Sequence, residues 1–176
     1  MEVEAKMDSN IRPEAPDDYA RVHEITKLAY ESEGEANLVN TLRTEAKPVI
    51  SLVAEVDGQV VGHILFTPVA IGDTPANASA MGLAPLSVHP DFQEHGIGGA
   101  LVKAGLEACT EESAEVVVTL GHPEYYSRHG FTPAVEEGIS YVGRDFDPFF
   151  MVIELSPGAL ENFQGEVNFH DAFDEL

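Results

Sequence analysis

An apolar run from Met81 to Val88 stops at Pro90, and a loop bearing Gly96, Gly98 and Gly99 leads into a helix that opens at Gly98. Leu101, Val102, Gly105, Leu106 and Cys109 recur on one face of that helix. Strand, glycine loop and helix in this order constrain the chain strongly. Glycines between a strand end and a helix start let backbone N–H groups converge with no Cβ in the way. The first-turn N–H groups have no intrahelical partner, and the helix dipole adds partial positive charge there. The geometry suits a phosphate or pyrophosphate.

Two common phosphate loops do not fit. A P-loop needs Gly-Lys-Ser/Thr, whereas Gly98 is followed by Gly99-Ala100. The dinucleotide fingerprint needs three glycines at GxGxxG, which Gly96-Ile-Gly-Gly-Ala-Leu101 does not supply. The run Gln93-Glu-His-Gly96-Ile-Gly98 instead resembles the (Arg/Gln)-x-x-Gly-x-(Gly/Ala) pyrophosphate loop of the GNAT superfamily of N-acetyltransferases. Leu86-Ser-Val-His-Pro90 resembles that family's fourth strand, and Tyr126-Ser-Arg-His-Gly-Phe131 its C-terminal Tyr-x-x-x-Gly-Phe element. These stand in the family's order and spacing, and the resemblance spans about residues 10 to 155. Gly82-Leu-Ala-Pro-Leu86, Thr119-Leu-Gly-His-Pro123 and Gly165-Glu-Val-Asn-Phe-His170 look more narrowly like its YhbS-like branch. The resemblance implies an α/β (α+β) fold: a central mixed, mostly antiparallel sheet of about seven strands, about four flanking helices, and a splayed parallel strand pair at the acetyl-CoA site.

A chain of 176 residues, 44% of them hydrophobic, is enough for one sizeable core, so residues 1–176 are read as a single domain with a core of about 10–155 and a C-terminal extension from 156. The N-terminus is no signal peptide, and no apolar run approaches a membrane span. The single cysteine, Cys109, excludes an internal disulfide, fits a reducing interior and reads as a small core residue. Thirty-one acids against nine bases give a net charge of -22. The acids are spread along the whole chain, which reads as a solvated acidic surface. Such a surface strains a fold by self-repulsion, and strong screening relieves the strain. The reading is therefore the cytoplasm of an extreme halophile, the alternative being an acidic protein with basic partners. Four lysines argue against nucleic-acid binding.

Residues 1 to 8 read as frayed, Asn10 to Arg12 as a short strand, and Pro16 as the start of a helix with Val22, Ile25, Leu28 and Ala29 in its core stripe. A second helix is predicted over Gly34 to Arg43. Val49 to Val56 and Gln59 to Phe66 form a hairpin around Asp57-Gly58. Residues 72 to 80 read as a loop; Asn77-Ala-Ser79 within it matches a glycosylation sequon without meaning in a cytosolic chain. Pro85, inside the run from Met81, marks an edge or a bulge. Glu115 to Leu120 is predicted as a strand parallel to it, Pro123 to His129 as a short helix ended by Gly130, and residues 139 to 143 and 149 to 155 as closing strands.

Acetyl transfer to an amine needs a held thioester, a neutral amine, donors for the developing oxyanion and a proton for the leaving thiolate. It needs no metal, and His63, His89, His95 and His122 form no ligand pair at helical spacing. The resemblance implies acetyl-CoA as co-substrate, a small-molecule or protein amine as acceptor, and leaves a homodimer open. It places Leu86, Ser87 and Val88 along the acetyl group and pantetheine arm, Gln93, Glu94, His95, Gly96, Ile97, Gly98 and Gly99 around the pyrophosphate, and Arg128 at the cofactor or a helix-end carbonyl. Relatives often carry Arg or Lys where this loop has Gln93, Glu94 and His95, so anion binding here is expected to rest on backbone dipoles, with His95 assisting when protonated, and to strengthen with salt. Tyr126, four residues before Gly130, matches the family's general acid; Tyr125 is a poorer match, and its substitution is expected to be nearly silent. No base is evident. Glu35, with Glu31 and Glu33 between the N-terminal helices, and His122 are candidates, each also readable as a solvated surface group. The alternative to an enzyme is a non-catalytic acyl-CoA-binding or regulatory module, which would not need Tyr126.

Overall fold

The structure, a computed structural model, describes residues 6–141 and 146–176, with the backbone alone for 77 and 78. Among the described residues nine strands form one sheet in the order β1-β2-β3-β4-β5-β8-β6, and β9 pairs with both β3 and β7. The strands are β1 (Asn10–Pro13), β2 (Ile50–Val56), β3 (Gln59–Ile71), β4 (Thr74–Val88), β5 (Val116–Leu120), β6 (Thr132–Pro133), β7 (Ile139–Tyr141), β8 (Phe150–Glu154) and β9 (Gly165–Asn168). The α-helices are α1 (Tyr19–Tyr30), α2 (Glu33–Glu45), α3 (Ile97–Glu111) and α4 (Pro123–Ser127). Pairing is antiparallel except for β4 with β5 and β7 with β9.

Side-chain alternation along β2 and β3 divides the core. Leu52, Ala54, Ile64 and Phe66 meet Leu101, Val102 and Cys109 of α3 on one face. Val53 and Leu65 meet Val22, Ile25, Leu38 and Leu42 of α1 and α2 on the other. Gly105 is what brings α3 so close: the Phe66 ring lies in the space its Cβ would take. The β2–β3 hairpin forms as predicted, with Asp57 at φ 52° and Gly58 at φ 79°, the left-handed pair that a two-residue turn between twisted strands requires.

Four expectations are corrected. Leu28 is 43% exposed, and Thr26 takes its place in the stripe because its hydroxyl donates to the Val22 carbonyl at 2.8 Å and so enters the core satisfied. Residues 74–80 are strand, because the Gly72-Asp73 turn returns β4 onto β3 and cross-strand pairing outweighs their small, polar composition. The extension beyond 156 supplies β9, which raises the strand count to nine, and the Phe169 ring that lies over Gly82 of β4. Met7, read as frayed, donates its N–H to the His95 carbonyl at 2.9 Å. Residues 142 and 143 of the strand predicted over 139 to 143 lie outside the described residues.

A buried polar network ties β1, α2 and the hairpin together. Glu14 accepts Arg43 at 2.9 and 2.8 Å and the Ser51 hydroxyl at 2.9 Å, and Ser51 lies 2.8 Å from Nε2 of His63. His63 is fully buried, and desolvation pushes its pKa down to about 4 against the pull of Glu14. The unfolded chain therefore binds a proton near pH 6.5 that the folded chain refuses until about 4. The His63 contribution to stability is complete above pH 6.5 and is lost as pH falls towards 4, an effect of about 3 kcal/mol. Urea unfolding midpoints should fall from pH 7 to pH 5 in the wild type and much less in His63→Leu; equal slopes in the two proteins would show that His63 does not titrate this way.

Candidate active site

β4 and β5 run parallel only from Ala80↔Val116 to Leu83↔Thr119, and then part. The β3–β4 register shifts between Ile64 and Phe66, opposite the segment holding Pro85, so the bulge expected of that proline is present. From Ala84 to Val88 the edge of β4 that faced β5 has no strand beside it among the described residues. Side chains reach its carbonyls instead: the Tyr30 hydroxyl donates to Leu86 O at 3.2 Å, and Gln93 Nε2 donates to Val88 O at 3.0 Å. At the fork itself, Thr119 Oγ1 donates to Leu83 O at 2.9 Å.

Below the fork the chain turns through Glu94 (φ 66°) and Gly96 (φ 83°) before α3 begins at Ile97, one residue earlier than predicted. Alternation of left-handed with other backbone conformations gathers successive N–H groups into an anion-binding concavity. Ala100 N–H bonds to Gly96 O at 3.0 Å, so the N–H groups of Ile97, Gly98 and Gly99 open the helix without intrahelical acceptors. A cleft of about 1630 Å³ lies against this start. Leu86, Val88, Gln93, Glu94, His95, Gly96, Ile97, Gly98, Gly99, His122 and Arg128 all line it. It exceeds the roughly 300–1,000 Å³ of a drug-sized pocket and suits a larger, extended ligand.

Three predicted residues lie elsewhere. Ser87 alternates to the opposite face, 1% exposed and cross-strand from His63. Glu35 stands at the start of α2, where its Oε2 is buried without a hydrogen-bond partner and its charge helps raise the Tyr30 phenol to about 12, behind the larger effects of burial and Tyr126. Tyr126 is 7% exposed, packed on Phe131 with ring centroids 5.3 Å apart. Burial pushes its phenol pKa up, while the Thr119 hydroxyl at the fork holds it back. Tyr126 therefore sits where β4 and β5 separate. Gln93 lines the cleft with the rest of its loop, and its amide is bonded to Val88 O.

Sequence reasoning missed Lys6, Tyr30, Lys103, Tyr125 and His129, which also line the cleft. Tyr125 turns its hydroxyl over α3, 2.7 Å from where a Gly98 Cβ would stand, and burial raises its phenol to about 12. Tyr125, read from the sequence as nearly silent to substitution, thus stands at the helix start. Lys6, Lys103 and Arg128 bring cations to the cleft beside the backbone N–H groups of the loop, and of these only Arg128 figures in the sequence reading of the cofactor site.

Residues 47–133 match the family described as Acetyltransferase (GNAT) domain. The chain is 34% identical over 167 residues to the N-acetyltransferase YhbS of Escherichia coli (strain K12), described as uncharacterized, covering 94% of this chain and 99% of that protein. The chain is a GNAT acetyltransferase. Among solved structures, Escherichia coli YhbS in complex with CoA is similar at a TM-score of 0.88 and 32% identity, over 99% of this chain and 96% of that one. A GNAT family acetyltransferase from Brucella melitensis in complex with acetyl-CoA is similar at 0.77 and 35%, over 95% and 99%. The GNAT acetyltransferase described here thus shares its overall fold with both.

Proposed function

We propose that this GNAT acetyltransferase moves the acetyl group of acetyl-CoA to a primary amine by direct attack, within one domain spanning residues 1–176. The observation that carries the reading is the parting of β4 from β5 directly above a helix start lined by N–H groups and cations. Relatives with CoA or acetyl-CoA bound support it. Bound there, the thioester supplies an activated acyl group. The unpaired edge at Leu86 and Val88 holds the pantetheine arm and offers N–H groups to the developing oxyanion. The loop from Gln93 to Gly99 takes the pyrophosphate. Tyr126, at the fork and protonated throughout the neutral range, gives its proton to the departing thiolate.

We assign the base to Glu35. A buried carboxylate oxygen without a partner is costly unless a ligand donates to it, and an ammonium group does so. His122 lines the cofactor cleft and caps α4, its carbonyl accepting from Tyr125 and Tyr126 at 3.1 and 3.2 Å, which fits the cofactor side better than the acceptor side. Protein incubated with acetyl-CoA and a panel of small amines and lysine peptides should release free thiol in proportion to acetylated amine. Tight CoA binding with no thiol release from any acceptor would favour the non-catalytic acyl-CoA module.

The acidic surface supports a cytoplasm of high salt as the setting. Among the described residues no helix is long and apolar enough to cross a membrane. With a net charge of -22, thermal melts in molar potassium chloride should lie well above melts in dilute buffer, because screening relieves self-repulsion. A melting temperature that stays flat or falls with salt would refute this setting and favour basic partners.

A further inference from the structure

The pyrophosphate loop contains an acid, Glu94, and no lysine or arginine between Leu86 and Val102. In a chain of net charge -22 that is an unfavourable place for a polyanion. The placement of seven of the nine bases answers the difficulty, Lys47 standing apart from both groups and Arg144 lying outside the described residues. Among the described residues Arg12, Arg21, Lys27 and Arg43 are held in ion pairs within the fold. Lys6, Lys103 and Arg128 instead line the cleft.

Lys6 is set at the loop. Its Cγ lies 3.3 Å from where a Cβ on Gly96 would stand, so the stem rests on the glycine that turns the chain into α3. The next residue fixes it there: Met7 donates its N–H to His95 O at 2.9 Å, and its side chain packs on the core beneath α3. Asp8, in the same segment, also faces the cleft, so the segment as a whole is not basic. What counts is the position of one ammonium group on a flexible stem, a point charge well suited to phosphate.

We infer that Lys6 is the cation that neutralises the cofactor pyrophosphate, delivered to the loop by the N-terminal segment. The inference rests on the acetyl-CoA reading given above. Residues 6 to 9 then act as a strap across the loop, with Gly96 kept bare so that the lysine stem can lie on it. Lys103, nearly two turns into α3, and Arg128, at the end of α4, also line the cleft and are left for the other phosphate of CoA.

The test is equilibrium binding at one fixed ionic strength of CoA, dephospho-CoA and pantetheine to the wild type, Lys6→Ala and Lys6→Arg. Lys6 is exposed, so neither variant disturbs the core. Lys6→Ala should weaken CoA and dephospho-CoA alike by about tenfold or more, the worth of one hydrogen bond to a charged group, and leave pantetheine unchanged. Lys6→Arg should bind both nucleotides nearly as the wild type does. Unchanged CoA affinity in Lys6→Ala would overturn the inference and leave the acetyl-CoA reading standing. A loss for CoA but not for dephospho-CoA would also overturn it, since the contact would then be with the 3′-phosphate. Wild-type protein that binds neither nucleotide would overturn the acetyl-CoA reading itself.

Discussion

Tyr126→Phe is expected to lower kcat by about 10²- to 10⁴-fold, the usual range for a lost general acid, while leaving CoA affinity close to that of the wild type. The substitution keeps the ring that packs on Phe131 and removes only the hydroxyl beside Thr119 at the β4–β5 fork. Because burial holds the phenol above its ordinary pKa, the proton is retained at neutral pH, and the part of the rate that depends on Tyr126 should be lost only on the strongly alkaline side. Steady-state kinetics with the best acceptor, beside a CoA titration, separate the cases. Full turnover in Tyr126→Phe would make the hydroxyl structural and leave water or Tyr30 to supply the proton. A loss confined to CoA affinity would place Tyr126 in the cofactor wall. Tyr125→Phe should behave in the opposite way, changing cofactor affinity more than turnover, since its hydroxyl lies over Gly98.

Gly98→Glu is expected to reduce CoA affinity by more than 10²-fold with the fold retained. A Cβ at this position already meets the Tyr125 hydroxyl at 2.7 Å, so the tyrosine must move, and the new carboxylate then stands among the N–H groups that would receive phosphate. Like charge at close range is strongly unfavourable. Gly98→Ala isolates the steric part and should cost much less. If Gly98→Glu is folded and binds CoA normally, the pyrophosphate does not lie at the start of α3.

Much of the fold was legible where local chemistry and tertiary packing agree. The Asp57-Gly58 turn, the β-branched run of β5 and the glycine loop into α3 each carry a signal that needs no distant partner. Where the two disagree, the sequence misleads. Thr26 is polar by type yet enters the core because its own helix satisfies its hydroxyl, and the apolar Leu28 is left outside. The first half of β4 is strand only because β3 lies beside it, and β9 is four residues whose identity comes from the neighbours they pair with.

The site divides along the same line. The loop, the bulged strand and Tyr126 are contiguous motifs. Lys6 and Tyr30 come to the cleft from segments far away in sequence, and nothing in their immediate neighbours marks them. Tyr125 and Tyr126 are adjacent and similar, so their separate placements, one over α3 and one at the fork, follow only from the pitch of α4 against the sheet. The unpartnered Oε2 of Glu35 is likewise a property of burial that composition does not reveal.

The most direct test of the account is the crystal structure of the protein with acetyl-CoA bound. The pyrophosphate should lie at the N–H groups of Ile97 to Gly99, the pantetheine arm along Leu86 and Val88, and the thioester sulfur within hydrogen-bond reach, about 3 to 3.5 Å, of the Tyr126 hydroxyl. A cofactor lying outside the β4–β5 fork, or a sulfur that meets Tyr30 or Tyr125 with Tyr126 out of reach, would contradict it.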